Sequence, residues 1–549
     1  MAQGEVFDFI IIGSGGGSVP AAMAMVNAGK RPLIIEKQSL IGGSSARSGG
    51  MLWIPASDQL KAAGLEDSPE KALRYLDAVV GDAGPGSTPE RRDAYVREAP
   101  EMLRFMERHG LKMRHAKFAD YYDEKPGGIA QGRALVPQRF DLNRLGAWAH
   151  RLSLHPMTSD IPSDGSELRF VQSGGWRRYV TMARIGTRIF RNKYLGARIR
   201  GFGNALMGQL FNIALKADVP IWTETEASDF IVENGRVVGV VVEREGRKLE
   251  LRADLGILIN AGGFSRNLAM REAYQPKPAS NQWTQANVGD TGEMINKAVE
   301  LGAAVDLMDE AFWFPCSFFA DGTTAGLHSA ADLGKPHIMV VDKAGKRFAN
   351  EAISHMEFGQ KMYAADAVPA WAIFDSNHRD KYTFGMILPR LTPERLIVSG
   401  YLKRADTLEQ LAGQCGIDPA GLAQATTQFN TFARGGVDED FGRGETGYQR
   451  ANGDRRVTPN PNLGPIERAP FYAVAIYPGD VGTCGGIVTD EYARALRPDG
   501  TVIPGLYATG ISTATVMGRA YPGGGISIGP SMTFGYIAAR HAARVNDTA

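Results

Sequence analysis

Residues 7–36 read FDFIIIGSGGGSVPAAMAMVNAGKRPLIIE, and this stretch decides the fold. The apolar run at 7–12 predicts a strand, GSGGGS a tight turn, the alanine-rich run to Gly29 a helix, and residues 32–35 a second strand ending at Glu36. Gly13 permits the turn. Gly15, with Gly16 beside it, lets backbone approach a pyrophosphate whose charge faces the helix N-terminus. Glu36 stands 23 residues after Gly13, the distance at which a carboxylate accepts from a ribose hydroxyl. A GxGxxG pattern alone is weak, and here its third position is Ser18. The acid at the right distance turns the match into a strong one for an α/β, Rossmann-like nucleotide-binding domain.

The next segment narrows the nucleotide. Gly42-Gly43-Ser44-Ser45 and Ser48-Gly49-Gly50 form two glycine turns directly after the second strand, with hydroxyls suited to a phosphate or ribityl chain. An NAD enzyme would continue there with a plain helix. The arrangement resembles the flavin-binding half of FAD enzymes of the fumarate reductase and 3-ketosteroid dehydrogenase group, where a GG(S/T)(S/T)…SGG segment runs along the flavin. The resemblance implies backbone contact of Ala227 with adenine, a turn at Ala261 and Gly262 against the nucleotide, and further cofactor contacts at Gly510 and Ile526. Covalent members of the wider group carry a histidine near the GGSS segment. None occurs in residues 39–53, so FAD is expected to be held noncovalently.

Composition excludes several classes. Lys+Arg 61 against Asp+Glu 60 in 549 residues gives no excess charge for nucleic acid. Three dispersed cysteines form no CxxC and fit a reducing cytosol, and the nine histidines form no metal motif, so no metal site is expected. The strand at 7–12 leaves no room for a signal peptide before it, and no run is long and apolar enough to span a bilayer. Residues 188–211 alternate basic and apolar residues. They are read as an exposed basic helix face followed by a buried helix, with peripheral membrane contact as the alternative. The expected location is cytoplasmic.

Further along, residues 152–174 read as a polar insertion, and two alternating runs after 220 are joined through Asn234-Gly235, a hairpin signal. Residues 276–454 lack the strand-turn-helix pattern and are expected to form an inserted α+β substrate (cap) domain. Residues 1–275 and 455–549 then make one discontinuous FAD-binding domain, closed by a helix over 530–544.

Residues 509–535, TGISTATVMGRAYPGGGISIGPSMTFG, surround Tyr521 with glycines and are read as an active-site wall. With GKRFANE (345–351), GTCGG (482–486) and GLYATG (505–510), they extend the resemblance to nearly the whole chain. Fumarate reductases of the group place cations where this chain has His355, Tyr521 and Gly482, so a dicarboxylate substrate is disfavoured. Ketosteroid dehydrogenases show Tyr-Pro-Gly-x-Gly, as Tyr521, Pro522, Gly523 and Gly525 do here. The resemblance implies that the Tyr521 hydroxyl and Gly525 amide stabilise a developing enolate. A base at position 355 then takes the alpha proton, assisted by a tyrosine from DYY…PGG, namely Tyr121, with Tyr122 the other registration. Position 355 is tyrosine in Δ1-dehydrogenases and histidine here. An imidazole is the better acceptor near neutrality.

The implied activity is FAD-dependent dehydrogenation of an apolar cyclic ketone, a 3-ketosteroid first and a cyclohexanone-like ring second. Trp53, Phe312, Trp313, Phe314, Phe318 and Phe319 suit such a ring. No second dinucleotide motif is seen, so an external electron acceptor such as a quinone is expected. Two other readings stand beside this one: a reductase of an activated C=C bond, and a nucleotide-binding protein without turnover.

Overall fold

The computed structural model describes residues 6–154, 162–164, 167 and 177–545. Strand Val6–Ile12 lies parallel between Pro32–Ile35 and Arg247–Ile259, with Phe9, Ile10 and Ile11 fully buried. Burial on both faces is why these strands read as continuous apolar runs and not as alternating ones. Ile221–Trp222 extends one side of this sheet, and Val502–Ala508 pairs parallel with Arg247–Ile259 on the other. The tail therefore completes the sheet that the first residues begin. Helix Ser18–Asn27 packs on the closing helix Ile528–Val545. Their approach demands glycine: a Cβ on Gly535 would lie 2.3 Å from the Gly17 carbonyl oxygen.

The hairpin at Asn234-Gly235 forms between Thr225–Glu233 and Arg236–Arg244, with both turn residues left-handed at φ 49° and 76°. That pair of angles suits a two-residue turn matched to strand twist.

A second sheet carries the inserted unit. Ile338–Val341, Ala370–Phe374, Phe471–Ile476 and Lys403–Ala405 pair antiparallel in that order. Ile338 and Val340 face Phe358 and Met362 of helix His355–Ala364, whereas Met339 and Val341 face Leu411, Leu422 and Phe429 of helices on the other side. The period-2 alternation thus builds two apolar layers on one strand. One strand of this sheet, Phe471–Ile476, lies beyond residue 454. We propose that the inserted unit runs to that strand, because its hydrogen bonds belong to the cap sheet. At the junction of the two units the fully buried Arg271 and Asp480 pair at 2.7 Å, and Ser265 and Thr284 donate to the other Asp480 oxygen.

Helix Phe202–Lys216 is buried along most of its length. Helix Arg177–Tyr194 exposes Tyr179, Met182, Ile189, Phe190 and Tyr194. Residues 188–211 therefore combine the end of an exposed helix with a buried one. Most of the insertion expected over 152–174 lies outside the described residues. Among the described residues no helix is long and apolar enough to cross a membrane.

Candidate active site

A cavity of about 570 Å³ runs from the ends of the parallel strands to the cap. Its nucleotide arm is walled by Gly13, Ser14 and Gly15, by Glu36, and by Gly43, Ser44, Ser45, Ser48 and Gly49. Ala227, Ala261, Gly262 and Gly510 continue the wall. Gly13, at φ 97°, has no room for a side chain, since a Cβ would stand 2.2 Å from the Asn260 carbonyl oxygen. Glu36 is held by the Ser14 amide and hydroxyl on one oxygen and the Gln38 amide on the other. Burial raises its pKa against those hydrogen bonds.

Of the expected cofactor residues, Gly16, Gly50 and Ile526 stand behind the wall. The Gly16 amide donates to Ser45 Oγ at 3.0 Å, Gly50 lets the chain pass Phe202 where a Cβ would lie 2.5 Å from its carbonyl, and Ile526 is fully buried core.

Several wall residues escape sequence reasoning. Asp290 accepts from Ser44 Oγ at 2.7 Å, and burial pushes its carboxyl up to about 7. Asn287 donates its amide to the same hydroxyl. Arg47 also lines the arm, and its Nε is buried without a hydrogen-bond partner. An arginine lining the arm suits an anionic or acceptor ligand. Bare backbone, a fixed carboxylate and a lining arginine together fit a dinucleotide. The run NVGDTG at 287–292, an acid bracketed by glycines, was the signal available for Asp290 and Asn287.

The other end of the cavity is aromatic. His355 opens helix His355–Ala364, and four residues before it Glu351 anchors the loop. Burial alone would raise the Glu351 carboxyl, but Arg347 and Arg443 outweigh it and hold it at about 2. Arg347 pairs with both Glu351 and Asp438, so this arginine belongs to the scaffold. The His355 ring stacks on Phe314, centroids 4.1 Å apart, and meets Tyr521 edge-on at 4.4 Å. Tyr121 stacks on Tyr521 at 5.4 Å and meets His355 at 5.8 Å. The Tyr121 amide also donates to the Pro522 carbonyl at 2.9 Å, tying the DYY segment to the glycine-rich turn.

His355 Nδ1 lies 2.8 Å from the Trp313 carbonyl oxygen. A carbonyl only accepts, so Nδ1 carries the proton and Nε2 carries the lone pair. Burial lowers the His355 pKa to about 4, against the raising effect of that hydrogen bond. Burial raises the Tyr521 phenol, and a hydrogen bond with the Gly525 backbone offsets part of the rise. Gly525 stands behind the wall at φ 102°, where a Cβ would come within 2.6 Å of the Leu52 nitrogen. Tyr121, His355, Phe312, Phe314 and Tyr521 all line the cavity.

The remaining aromatics part company with the pocket. Trp53 and Trp313 are fully buried core, their indoles donating to Asp120 and Glu310, and Phe318 and Phe319 line a separate surface cavity. Tyr122 is not in the wall and its hydroxyl donates to Glu357 at 3.2 Å. Bulk and aromaticity in sequence do not separate core from cavity.

A dinucleotide arm meeting an aromatic end suits a flavoenzyme, and the sequence identifies one: the FAD binding domain family matches residues 8–528, and the chain belongs to it. Its cofactor is FAD. Within that family the chain is 40% identical to a 3-oxosteroid 1-dehydrogenase of Mycobacterium tuberculosis (strain ATCC 25618 / H37Rv), over 98% of each chain. It is 33% identical to a 4-oxocyclohexanecarboxylate 2-dehydrogenase of Sinomonas cyclohexanicum, over 98% of this chain and 92% of the other. The crystal structure of 3-ketosteroid delta1-dehydrogenase from Sterolibacterium denitrificans, in complex with 1,4-androstadiene-3,17-dione, superposes with a TM-score of 0.93 at 35% identity, covering 98% of this chain and 100% of that one.

Proposed function

We propose that this protein is an FAD-dependent 3-ketosteroid Δ1-dehydrogenase, which desaturates the ring bond next to a carbonyl. The observation that carries this reading is the contact of neutral His355 with Tyr521 and Tyr121 at the aromatic end of the cavity. The residue roles follow from their chemistry. Tyr521 keeps its proton because burial opposes phenolate, so its hydroxyl donates to the substrate carbonyl, with the Gly525 amide bonded to that hydroxyl from behind the wall. Polarising that oxygen acidifies the alpha carbon. His355 Nε2 accepts the alpha proton, its tautomer fixed by the Trp313 carbonyl. The Tyr121 hydroxyl assists at the same corner. Bound FAD supplies the acceptor for the hydride that leaves the beta carbon. Phe312 and Phe314 exclude water from the ring during both transfers.

Residues 13–15, Glu36, Ser44, Ser45 and Arg47 hold the FAD, with Asp290 fixing Ser44. We assign reoxidation of the flavin to an external acceptor such as a quinone. We assign peripheral membrane contact to helix Arg177–Tyr194, on the support of its exposed aromatic and apolar side chains and of a sequence without an acidic residue. The test of the main reading is anaerobic addition of a 3-ketosteroid to the oxidised enzyme. Bleaching of the flavin with formation of a 1,4-dien-3-one supports it. Bleaching by 4-oxocyclohexanecarboxylate and not by the steroid points to the smaller ring.

A further inference from the structure

One charged side chain in the cavity wall between Phe312 and Met386 has no role in the proton and hydride transfers: Asp332. It sits in the short helix Ala330–Leu333, and Ala330 packs in one cluster with Tyr121. The wall residues between Phe312 and Met386 include His355 but no lysine or arginine. Asp332 is their one acid.

Its position is built. Asp332 Oδ2 accepts from His328 Nδ1 at 3.2 Å and from the Gly385 amide at 3.3 Å. A carboxylate accepts, so Nδ1 donates and Nε2 is left to accept from Ser317 Oγ at 2.8 Å, while Ser317 in turn lies 2.9 Å from the Tyr401 hydroxyl. His328 and Ser317 are both fully buried, and His328 stacks on Phe384 at 4.5 Å. Ordering a histidine, a serine and a tyrosine inside a core costs entropy and desolvation. What they hold in place is one carboxylate oxygen. The other, Oδ1, belongs to a side chain that is 16% exposed and lines the cavity. Ser317 is not in that wall, so the Ser-His-Asp order makes no nucleophile here.

Resting on the ketosteroid reading above, we infer that Asp332 is a specificity-determining residue that selects by charge. Its carboxylate rejects ring ketones whose anionic substituent reaches this part of the wall and accepts a hydrogen bond from a neutral donor such as a hydroxyl or amide. Two like charges brought together in a cavity of low polarity repel strongly. The chain therefore parts in substrate charge from its relative named for an oxocyclohexanecarboxylate, although both carry the same FAD-binding fold.

The test compares a 3-oxo-1,4-diene steroid bearing a 17β-carboxylate with its 17β-carboxamide, both product-like and not turned over. Binding is read as perturbation of the flavin absorbance of the holoenzyme near neutral pH, in wild type, Asp332→Asn and Asp332→Ser. Wild type should bind the carboxamide more tightly by roughly tenfold or more, and both variants should bring the two dissociation constants within about threefold. Asparagine keeps an oxygen for His328 and Gly385, and serine removes the branch altogether, so a folding defect in one leaves the other to decide. A carboxamide preference unchanged in the variants, or absent in wild type, overturns the charge selection alone. If neither steroid perturbs the flavin of wild type, the ketosteroid reading falls and this inference with it.

Discussion

The imidazole of His355 meets the Tyr521 ring edge-on, centroids 4.4 Å apart and planes at 63°, while its Nδ1 is engaged by the Trp313 carbonyl at 2.8 Å. The proposed proton acceptor and the proposed carbonyl donor are thereby held at one corner by two separate units of the fold, the first on a cap helix and the second on the tail of the nucleotide domain. Removing the imidazole should spare the cofactor. His355→Ala is expected to retain FAD and slow ketone-driven flavin reduction by at least about a hundredfold. Stopped-flow absorbance under nitrogen checks this, and near-wild-type reduction would remove His355 from the chemistry.

Tyr521→Phe deletes the hydroxyl proposed to donate to the substrate carbonyl and leaves the ring stacked on Tyr121. Flavin reduction should fall on the order of 10²- to 10³-fold with an unchanged flavin spectrum. Loss of FAD from the variant instead would make Tyr521 a cofactor wall.

The pH dependence separates a histidine from a tyrosine as base. Burial depresses the folded pKa of His355 to about 4, below its ordinary value, so the neutral acceptor persists down to that pH and is lost as pH falls through it. The rate of flavin reduction should therefore be nearly level from pH 6 to 9 in wild type. A rate that climbs steadily through alkaline pH would indicate phenolate as the acceptor.

Glu36→Ala removes the acceptor fixed by Ser14 and Gln38. The dissociation constant for FAD should rise roughly tenfold or more, read by fluorescence of released flavin. Undiminished FAD affinity would show that Glu36 does not touch the ribose.

Much of this was legible in the sequence because it rests on local rules. The strand-turn-helix at 7–36 declares itself through three glycines and Glu36, and the Asn234-Gly235 hairpin through one dipeptide whose φ values of 49° and 76° only such residues tolerate well. The return of the tail to the first sheet was legible from GLYATG. Arg47 was not, because an arginine acquires its role only when distant segments close a cavity around it, and the NVGDTG run marked Asp290 only as an acid between glycines. The reach of the cap sheet to Phe471–Ile476 was hidden for the same reason: a strand's run of apolar residues does not say which sheet will pair with it. Among six pocket aromatics proposed from sequence, Phe312 and Phe314 line the cavity while Trp53 and Trp313 fill the core. Only packing distinguishes them.

The most direct measurement mixes oxidised wild-type enzyme anaerobically with a 3-ketosteroid saturated at C1–C2 and follows the flavin absorbance, in parallel with His355→Ala. Rapid bleaching in wild type with a 1,4-dien-3-one as product, and bleaching slowed at least about a hundredfold in a variant that still holds FAD, is the result expected of a histidine-based ketosteroid dehydrogenase. A wild-type flavin that stays oxidised with the steroid, or a variant that bleaches as fast as wild type, would contradict it.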